Sequence, residues 1–401
     1  MAENGPGVVA SPRPLNIQRE AEEMNIVHVI NDLKGGGAQN LLVSLAVELK
    51  RLGHVVLVVV VNGCDTTYEM AMLDRLHRAG VETQCLDRRV GSGLAGALGA
   101  TWKLAYALRT RRPDVVNTHL ELSHLMVGLC KVINAYLRGR ASIHVATVHN
   151  APERWGWLSL SLNRRAARIY CSNAACELDN ARPQEYRIVK NGVRLPAVSV
   201  DPFMKRREMG FAADTKIIIS VGSMRRQKNY AGGVEAVDGT RSLLGPTIPV
   251  QYLICGREFD GTEDTKAAIS RLGMQNCVHL LGMRQDTRDL LEMADCYLNT
   301  SHHEGLSLAV LESLFAGLPC VLADIPSHRD LAAAMPGCIL TSNKDPSATG
   351  RAVAQVLEQS SPKDKLRRER WPYLQEYSPE RCVQGYVTYY AQLLGETVDN
   401  K

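Results

Sequence analysis

Two acids, Glu304 and Glu312, stand with seven residues between them in the stretch Ser301 to Glu312. Glu304 lies in a polar turn closed by Gly305, and Glu312 lies in the apolar run that begins at Leu306. The turn follows a short hydrophobic strand, Cys296 to Leu298. Strand, glycine turn and helix together present backbone N–H groups to an anion. If Ser307 caps the helix, Glu312 falls in its second turn and both acids can face one cleft. Two acids beside an anion site suit a ligand with phosphates at one end and hydroxyls at the other, such as a nucleotide sugar. A surface salt bridge is the plainer reading for either acid alone. His302 and His303 read as local packing or polar lining.

Three further clusters carry chemistry. Val221-Gly222-Ser223-Met224-Arg225-Arg226-Gln227-Lys228-Asn229 follows a strand. Its three cations can neutralise a diphosphate leaving group without a metal. Gly35-Gly36-Gly37 also follows a strand and opens a helix, where backbone can approach phosphate closely. The pattern is not Gly-x-Gly-x-x-Gly, and no well-placed acid follows the next strand, which disfavours a nicotinamide cofactor. Asn117-Thr118-His119 and Thr147-Val148-His149 each put a histidine at a strand end. His149 is the stronger candidate, because Asn150-Ala151-Pro152 then breaks into a loop. His119 reads as a support for it or as part of an acceptor pocket. A zinc site would need a third ligand, and none is apparent.

These residues need strands to hold them. Apolar runs without alternation, such as Val55 to Val61, read as strands covered on both faces. They recur between helical patterns as Ile26 to Ile30, Val81 to Leu86, Val115 to Asn117, Ile143 to Val148 and Ile169 to Ser172. The helix after the glycines carries Leu42, Leu45, Leu49 and Leu52 on one face and stops at Gly53. Periodicity lapses near Val193 and resumes at Lys216. Strands then recur at Ile217 to Val221, Val250 to Ile254, Val278 to Leu281, Cys296 to Leu298, Cys320 to Leu322 and Cys338 to Leu340. The expectation is an α/β chain of two Rossmann-like parallel-sheet domains facing across a cleft. The boundaries fall at 24–195 for the first domain, 196–215 for a linker and 216–376 for the second. A last helix, Pro379 to Leu394, has a stripe of Tyr386, Tyr389, Tyr390, Leu393 and Leu394.

Composition narrows the function classes. The chain has 401 residues, 45% apolar and 22% charged, with an excess of +5 in Lys plus Arg over Asp plus Glu. That suits a soluble two-domain protein and does not signal nucleic-acid binding. The run Lys363 to Arg370 alternates in sign and reads as a solvated helix face. The eleven cysteines are scattered, many in apolar runs, as expected of buried reduced thiols. No apolar run reaches the ~20 residues a membrane span needs. Residues 1–23 lack a signal-peptide core and are expected to be a disordered extension. Met24 is an alternative start.

In this combination and order, the sequence from Met24 onward resembles the retaining glycosyltransferases of family 4, which have the GT-B fold. The resemblance rests on Glu304 to Glu312 with Ala316-Gly317-Leu318-Pro319-Cys320-Val321 behind them. It rests also on Gly36-Gly37-Ala38, Thr147-Val148-His149, Asn191-Gly192-Val193, Gly222 and Lys228-Asn229. It implies that Lys228 binds the donor diphosphate and Glu312 the nucleotide ribose. Glu304 would lie by the donor sugar, with the N–H groups of Gly305, Leu306 and Ser307 at sugar and phosphate. Gly36 and Gly37 would close from the other domain, and His149 would sit by the reaction centre. The last helix, 377–396, would cross back to the first domain.

One departure is Ser223, where many members of the family carry Arg. Arg225, ahead of Arg226, is expected to replace that charge. The implied activity is metal-independent transfer of a hexosyl or N-acetylhexosaminyl group with retention. The donor would be a nucleotide-diphosphate sugar, a UDP-sugar first, and the acceptor a glycan, lipid-linked or small-molecule hydroxyl. No cofactor is implied, and the setting is cytoplasmic, with contact to the inner face of a membrane allowed. Acceptor contacts are expected from His119 and from Trp155 in the loop Glu153 to Trp157. The alternative is a non-catalytic nucleotide-sugar-binding protein on the same fold.

Overall fold

The computed structural model describes residues 22–89, 91, 93–136, 142–149, 156–179, 182–183, 185–359 and 362–395. The expected N-terminal extension lies outside them except for its last two residues. The first sheet has seven strands: β1 (Asn25–Ile30), β2 (Val55–Asn62), β3 (Glu82–Arg88), β4 (Val115–His119), β5 (Ile143–Val148), β6 (Ala167–Tyr170) and β7 (Tyr186–Ile188). All pairs are parallel, in the order β3-β2-β1-β4-β5-β6-β7. Between them run α1 (Gly37–Arg51), α2 (Thr67–Arg78), α3 (Gly93–Arg111), α4 (Glu121–Tyr136), α5 (Trp157–Leu162) and α6 (Asn173–Glu177).

After α7 (Pro202–Glu208) comes a six-stranded parallel sheet of β8 (Lys216–Val221), β9 (Val250–Cys255), β10 (Val278–Gly282), β11 (Cys296–Asn299), β12 (Cys320–Ala323) and β13 (Cys338–Thr341). Its order is β10-β9-β8-β11-β12-β13. Its helices are α8 (Tyr230–Leu244), α9 (Thr262–Arg271), α10 (Thr287–Met293), α11 (Leu308–Phe315), α12 (Pro326–Ala334), α13 (Pro346–Gln359) and α14 (Lys363–Leu374). The chain's last described helix is α15 (Pro379–Leu394).

The unbroken apolar runs explain the layers. In β2, Val56, Val58 and Val60 join the core under α1, α2 and α15, while Leu57, Val59 and Val61 join the core under α3 and α4. Period-two alternation thus feeds two cores from one strand, as a doubly covered parallel strand requires. The tandem Rossmann-like architecture is as the sequence predicts. Order reverses between β1 and β4 and between β8 and β11, so each sheet has one switch-point crevice.

α15 packs against α1, and its Tyr386 and Tyr390 lie in the first sheet's core. The Tyr390 hydroxyl accepts a 2.5 Å hydrogen bond from Asn117 Nδ2 in β4. The first domain's own β4 is therefore tied to the C-terminal end of the chain.

Two readings are corrected. The Lys363 to Arg370 run is not wholly a solvated face, for Arg370 is fully buried. Its Nε donates to Pro336 O at 2.8 Å, and its Nη1 to Leu318 O at 2.8 Å and Leu314 O at 3.3 Å. Arg367 Nη2 donates to Ala316 O at 2.7 Å. The two guanidinium groups meet carbonyls at and just beyond the C-terminal end of α11, where the helix dipole favours cations. The segment read as linker also holds a helix: Asp201 caps α7, and Arg206 Nη2 donates to Met293 O at 2.7 Å.

Candidate functional site

The cleft between the sheets gathers loops from the carboxyl ends of strands in both. One chamber, about 320 Å³, is lined by Gly36, Gly37, His149, Gly222, Ser223, Arg225, Lys228, Glu304, Leu306 and Ser307, among others. A second, about 180 Å³, shares Gly36, Gly37, Gly222, Ser223 and Leu308 with it and adds Lys34, Tyr68, Arg257, Arg284 and Glu312. Larger and smaller hollows elsewhere share few or none of these groups. One of them, about 890 Å³, lies by α5 and Arg164 and contains no residue of the cleft.

Gly222 follows β8 with φ 147, and a Cβ there would stand 3.2 Å from Lys228 Cε. A side chain at 222 would be strained at this φ and would crowd Tyr230 and the Lys228 stem. Gly36 has φ 149, and a Cβ on Gly37 would lie 3.5 Å from Leu308 Cδ1. The glycine turn of the first sheet therefore abuts the start of α11 on the second.

Lys228 ends a short 3-10 turn, Arg226–Lys228, and Asn229 then adopts φ 51 and caps α8 through its side chain. The Lys228 loop is latched to the Glu304 loop. Thr300 Oγ1 donates to Asn229 O at 2.8 Å, His302 N to Gln227 O at 2.8 Å, and Gln227 Nε2 to His303 O at 2.6 Å. Lys228 Nζ donates to Glu304 Oε1, which also accepts from Ser301 Oγ at 2.7 Å. Burial pushes the Glu304 carboxyl up, but the Lys228 charge and hydrogen bond outweigh it and leave the group below its ordinary value.

Ser307 is the N-cap residue of α11, but its side chain makes no capping bond. Glu312 sits in the second turn. Burial lifts its carboxyl to about 7. No hydrogen bond or ion pair to its side chain occurs among the described residues. Gly305 O accepts from Ser172 Oγ at 2.7 Å, a direct bond from the first sheet's β6–α6 loop to the Glu304 turn.

The two arginines separate. Arg225 lines the cleft with its guanidinium 3.9 Å from the Phe259 ring centroid. Arg226 is exposed and pairs with Asp264 at 3.0 Å. His149 lines the cleft and is bonded through Nε2 to His119 Nδ1 at 2.9 Å. Burial holds its imidazole down at about 4, so it is neutral at ordinary pH.

The acceptor reading of His119 is corrected. The ring is fully buried, and its second nitrogen, Nε2, is bonded to His28 Nδ1 at 3.1 Å. It has no atom left for a ligand. Trp155 lies outside the described residues, while Trp157 opens α5 and is 81% exposed. Sequence reasoning passed over Arg257, Arg284 and Tyr68 in the second chamber. Arg257 follows β9 just as Ser223 follows β8, two residues past the strand, so its strand-end position was the available signal. No group of three His, Cys, Asp or Glu side chains placed to hold a metal occurs among the described residues.

Comparison with known proteins agrees on the class. The family described as Glycosyltransferase Family 4 matches residues 35–195, and Glycosyl transferases group 1 matches residues 203–371. A GDP-mannose:cellobiosyl-diphosphopolyprenol alpha-mannosyltransferase of Xanthomonas campestris is 24% identical over 93% of this chain and 98% of its own. The Xanthomonas oryzae pv. oryzae protein of the same name is 27% identical, but the match spans 53% of this chain and only 54% of that protein. A UDP-Gal:alpha-D-GlcNAc-diphosphoundecaprenol alpha-1,3-galactosyltransferase of Escherichia coli is 25% identical over 56% of this chain and 61% of its own. Among solved structures, Anabaena HepE in complex with UDP and glucose superposes with a TM-score of 0.77 at 17% identity, over 92% of this chain and all of that one. WaaG, a glycosyltransferase involved in lipopolysaccharide biosynthesis, gives 0.64 at 14%, over 92% and 98%. These likenesses establish the GT-B fold.

Proposed function

The chain belongs to glycosyltransferase family 4, and from that premise we propose that it moves a hexosyl or N-acetylhexosaminyl group from a nucleoside diphosphate to a hydroxyl, with retention and without a metal. The observation that carries this reading is the convergence on one cleft of Lys228, Arg225, the Gly36–Gly37 turn, the start of α11 and the Glu304/Glu312 pair. Cations and helix N–H groups suit a departing diphosphate, and buried carboxylates suit hydroxyls.

In this reading the sugar–phosphate bond lengthens toward an oxocarbenium-like state while Lys228 and Arg225 take up the charge growing on the diphosphate. The acceptor oxygen attacks from the same face, and its proton passes to a phosphate oxygen of the leaving group. The products are the glycoside and the free nucleoside diphosphate. Glu304 bonds the sugar and Glu312 the ribose, and neither acts as a general base. The Gly37–Leu308 contact holds the two halves together over the bound donor and excludes water.

UDP is the first candidate for the donor nucleotide, since HepE holds UDP and the E. coli relative is named for UDP-Gal. GDP is the second, from the Xanthomonas relative of nearly equal length. Both relatives are named for polyprenyl-diphosphate-linked sugars, so a lipid-linked sugar is the acceptor class we favour. The non-catalytic alternative has less support, because the cationic loop and both acids stand together in the cleft.

A thermal-shift series with UDP, GDP, ADP and TDP sugars, followed by mass spectrometry with polyprenyl-diphosphate sugars, tests it. One donor should raise the melting temperature and be consumed. Stabilisation without turnover on any acceptor would favour the non-catalytic reading, and no stabilisation by any donor would reject both.

A further inference from the structure

Three histidines of the first sheet form one file that ends in the cleft. Ile26 and Ile30 of β1, Val115 of β4 and Val145 of β5 face the core beneath α1 and α15. Period-two alternation puts His28 and positions 117, 119 and 147 on that same face, with His149 the next step beyond β5. The register makes the file diagonal. His28 pairs with Asn117, and His119 stands two residues on; His119 pairs with Thr147, and His149 stands two residues on.

The rings follow that staircase. His28 Nδ1 lies 3.1 Å from His119 Nε2, and His119 Nδ1 lies 2.9 Å from His149 Nε2. Their centroids are 5.3 and 5.2 Å apart. His28 and His119 are fully buried, and only His149 reaches the cleft.

A neutral imidazole has one N–H and one bare nitrogen, so the file has two self-consistent proton arrangements. Turning one ring alone would set two N–H groups, or two bare nitrogens, face to face. In one arrangement every ring donates toward the cleft, leaving His149 with Nδ1–H and His28 with a bare Nε2. In the other every ring donates inward, leaving His149 Nδ1 bare and His28 with an Nε2–H. His28 Nε2 is buried without a partner. A stranded buried N–H is rarer in native structures than a buried acceptor short of a donor.

We infer that His28 and His119 are positioning residues that fix His149 as a neutral Nδ1–H donor, aimed at an oxygen of the bound donor substrate. The inference rests on reading the cleft as the transfer site. An uncharged donor steadies a sugar hydroxyl or phosphate oxygen without adding a second positive charge beside Lys228, which is how a neutral imidazole serves as an electrophile elsewhere. The tautomer is the opposite of the one an isolated histidine side chain favours, so it must be imposed by its neighbours.

NMR of the full chain labelled with 15N-histidine tests this directly, by reading which nitrogen of His149 carries hydrogen. His119→Asn keeps an amide N–H near the position of Nδ1, whereas His119→Leu removes the donor. The wild type and His119→Asn should both show Nδ1–H on His149, with kcat within about threefold of each other. His119→Leu should populate Nε2–H and lose about tenfold in kcat, with donor KM changed far less. His28→Phe should move the tautomer in the same direction by less. An Nε2–H on wild-type His149 overturns the proposal. So does a loss of kcat equal in the two His119 variants with the tautomer unchanged, which would assign His119 a packing role alone. A wild type with the expected tautomer and no transfer to any acceptor supports the proton arrangement and counts against the transferase reading.

Discussion

Lys228 Nζ and Glu304 Oε1 are joined in a salt bridge within the cleft, with both side chains mostly shielded from water. The cation best placed to hold a diphosphate is thus already engaged by the acid best placed to hold a sugar. A donor that binds must draw Lys228 away from Glu304, and the sugar's hydroxyls must then satisfy the carboxylate. Breaking a buried pair by removing one partner strands the other. Lys228→Ala should therefore cost roughly 3 kcal/mol of stability in addition to abolishing transfer. Glu304→Gln should act differently. It keeps an acceptor for the Ser301 hydroxyl, frees Lys228 and removes a negative charge beside the phosphates. UDP alone should bind this variant about five- to tenfold more tightly, while transfer falls about a hundredfold or more. Calorimetry with UDP and a mass-spectrometric transfer assay separate the two effects. Weaker UDP binding by Glu304→Gln would refute the competition.

The arginine loop makes a sharper contrast. Arg225 lines the cleft over Phe259, and Arg226 turns out to Asp264. A hydrogen bond to a charged group is worth about 1.5–3 kcal/mol, so Arg225→Ala should raise the donor KM about tenfold or more. Arg226→Ala removes only an exposed pair, worth about 0–1 kcal/mol, and should stay within about threefold of wild type. Reversed magnitudes would show that Arg226 replaces the charge missing at Ser223.

These two arginines show how far the sequence could be read. Both lie in one basic loop after one strand, and nothing in their spacing says which turns inward. That depends on Asp264, thirty-eight residues away in α9, which gives Arg226 a partner on the outer side. Most strands were legible to within a residue or two because a doubly covered parallel strand is largely an apolar run, as in β2, β8 and β9. The edge strands differ: β3 is mostly polar, and β7 is three exposed residues that no apolar run announces. Candidate residues at strand ends were legible because switch-point geometry sends ligands there. His28 was not, because it sits mid-strand among valines and isoleucines, where only the register brings it against His119. Arg370 was hidden by its charged neighbours, since helix periodicity alone does not say which cation in an alternating run turns inward.

Glu312 should impose a pH dependence on the donor. Its carboxyl, raised by burial to about 7, is protonated below that pH and can no longer accept two hydroxyl hydrogen bonds. Lys34, Arg257, Arg284 and Tyr68 line the same chamber without bonding it. Donor affinity should fall as pH is lowered from 8 to 5.5, and Glu312→Gln should bind weakly with little slope. Stability runs the other way. The folded value lies above the ordinary glutamate value of 4.5, so ionisation costs stability as pH rises through the window from 4.5 to about 7. Glu312→Gln should melt higher than wild type at pH 8 and alike at pH 4.5. A parallel pair of melting curves across that range would refute the assignment.

Arg370 offers a test of the scaffold behind the donor site. α11 starts at the cleft, and its C-terminal carbonyls are met by Arg370 and Arg367 from α14. Arg370→Met keeps the length and apolar stem but leaves carbonyls of Leu314, Leu318 and Pro336 without these donors in a buried place. Leu314 O keeps its bond from Gly317 N; each buried group left unpaired costs about 1–3 kcal/mol, so a total loss of about 2–4 kcal/mol is expected, read as a lower urea midpoint with an unchanged slope. Arg370→Lys should recover little, because one ammonium cannot reach three carbonyls that a planar fork reaches together. Arg367→Met should cost less, since that side chain is partly solvated and its acid partner Glu292 keeps Arg288. If α14 does position α11, saturating donor should also stabilise Arg370→Met by less than wild type. Equal stabilisation of the two proteins would confine Arg370 to the core and remove it from any account of donor binding.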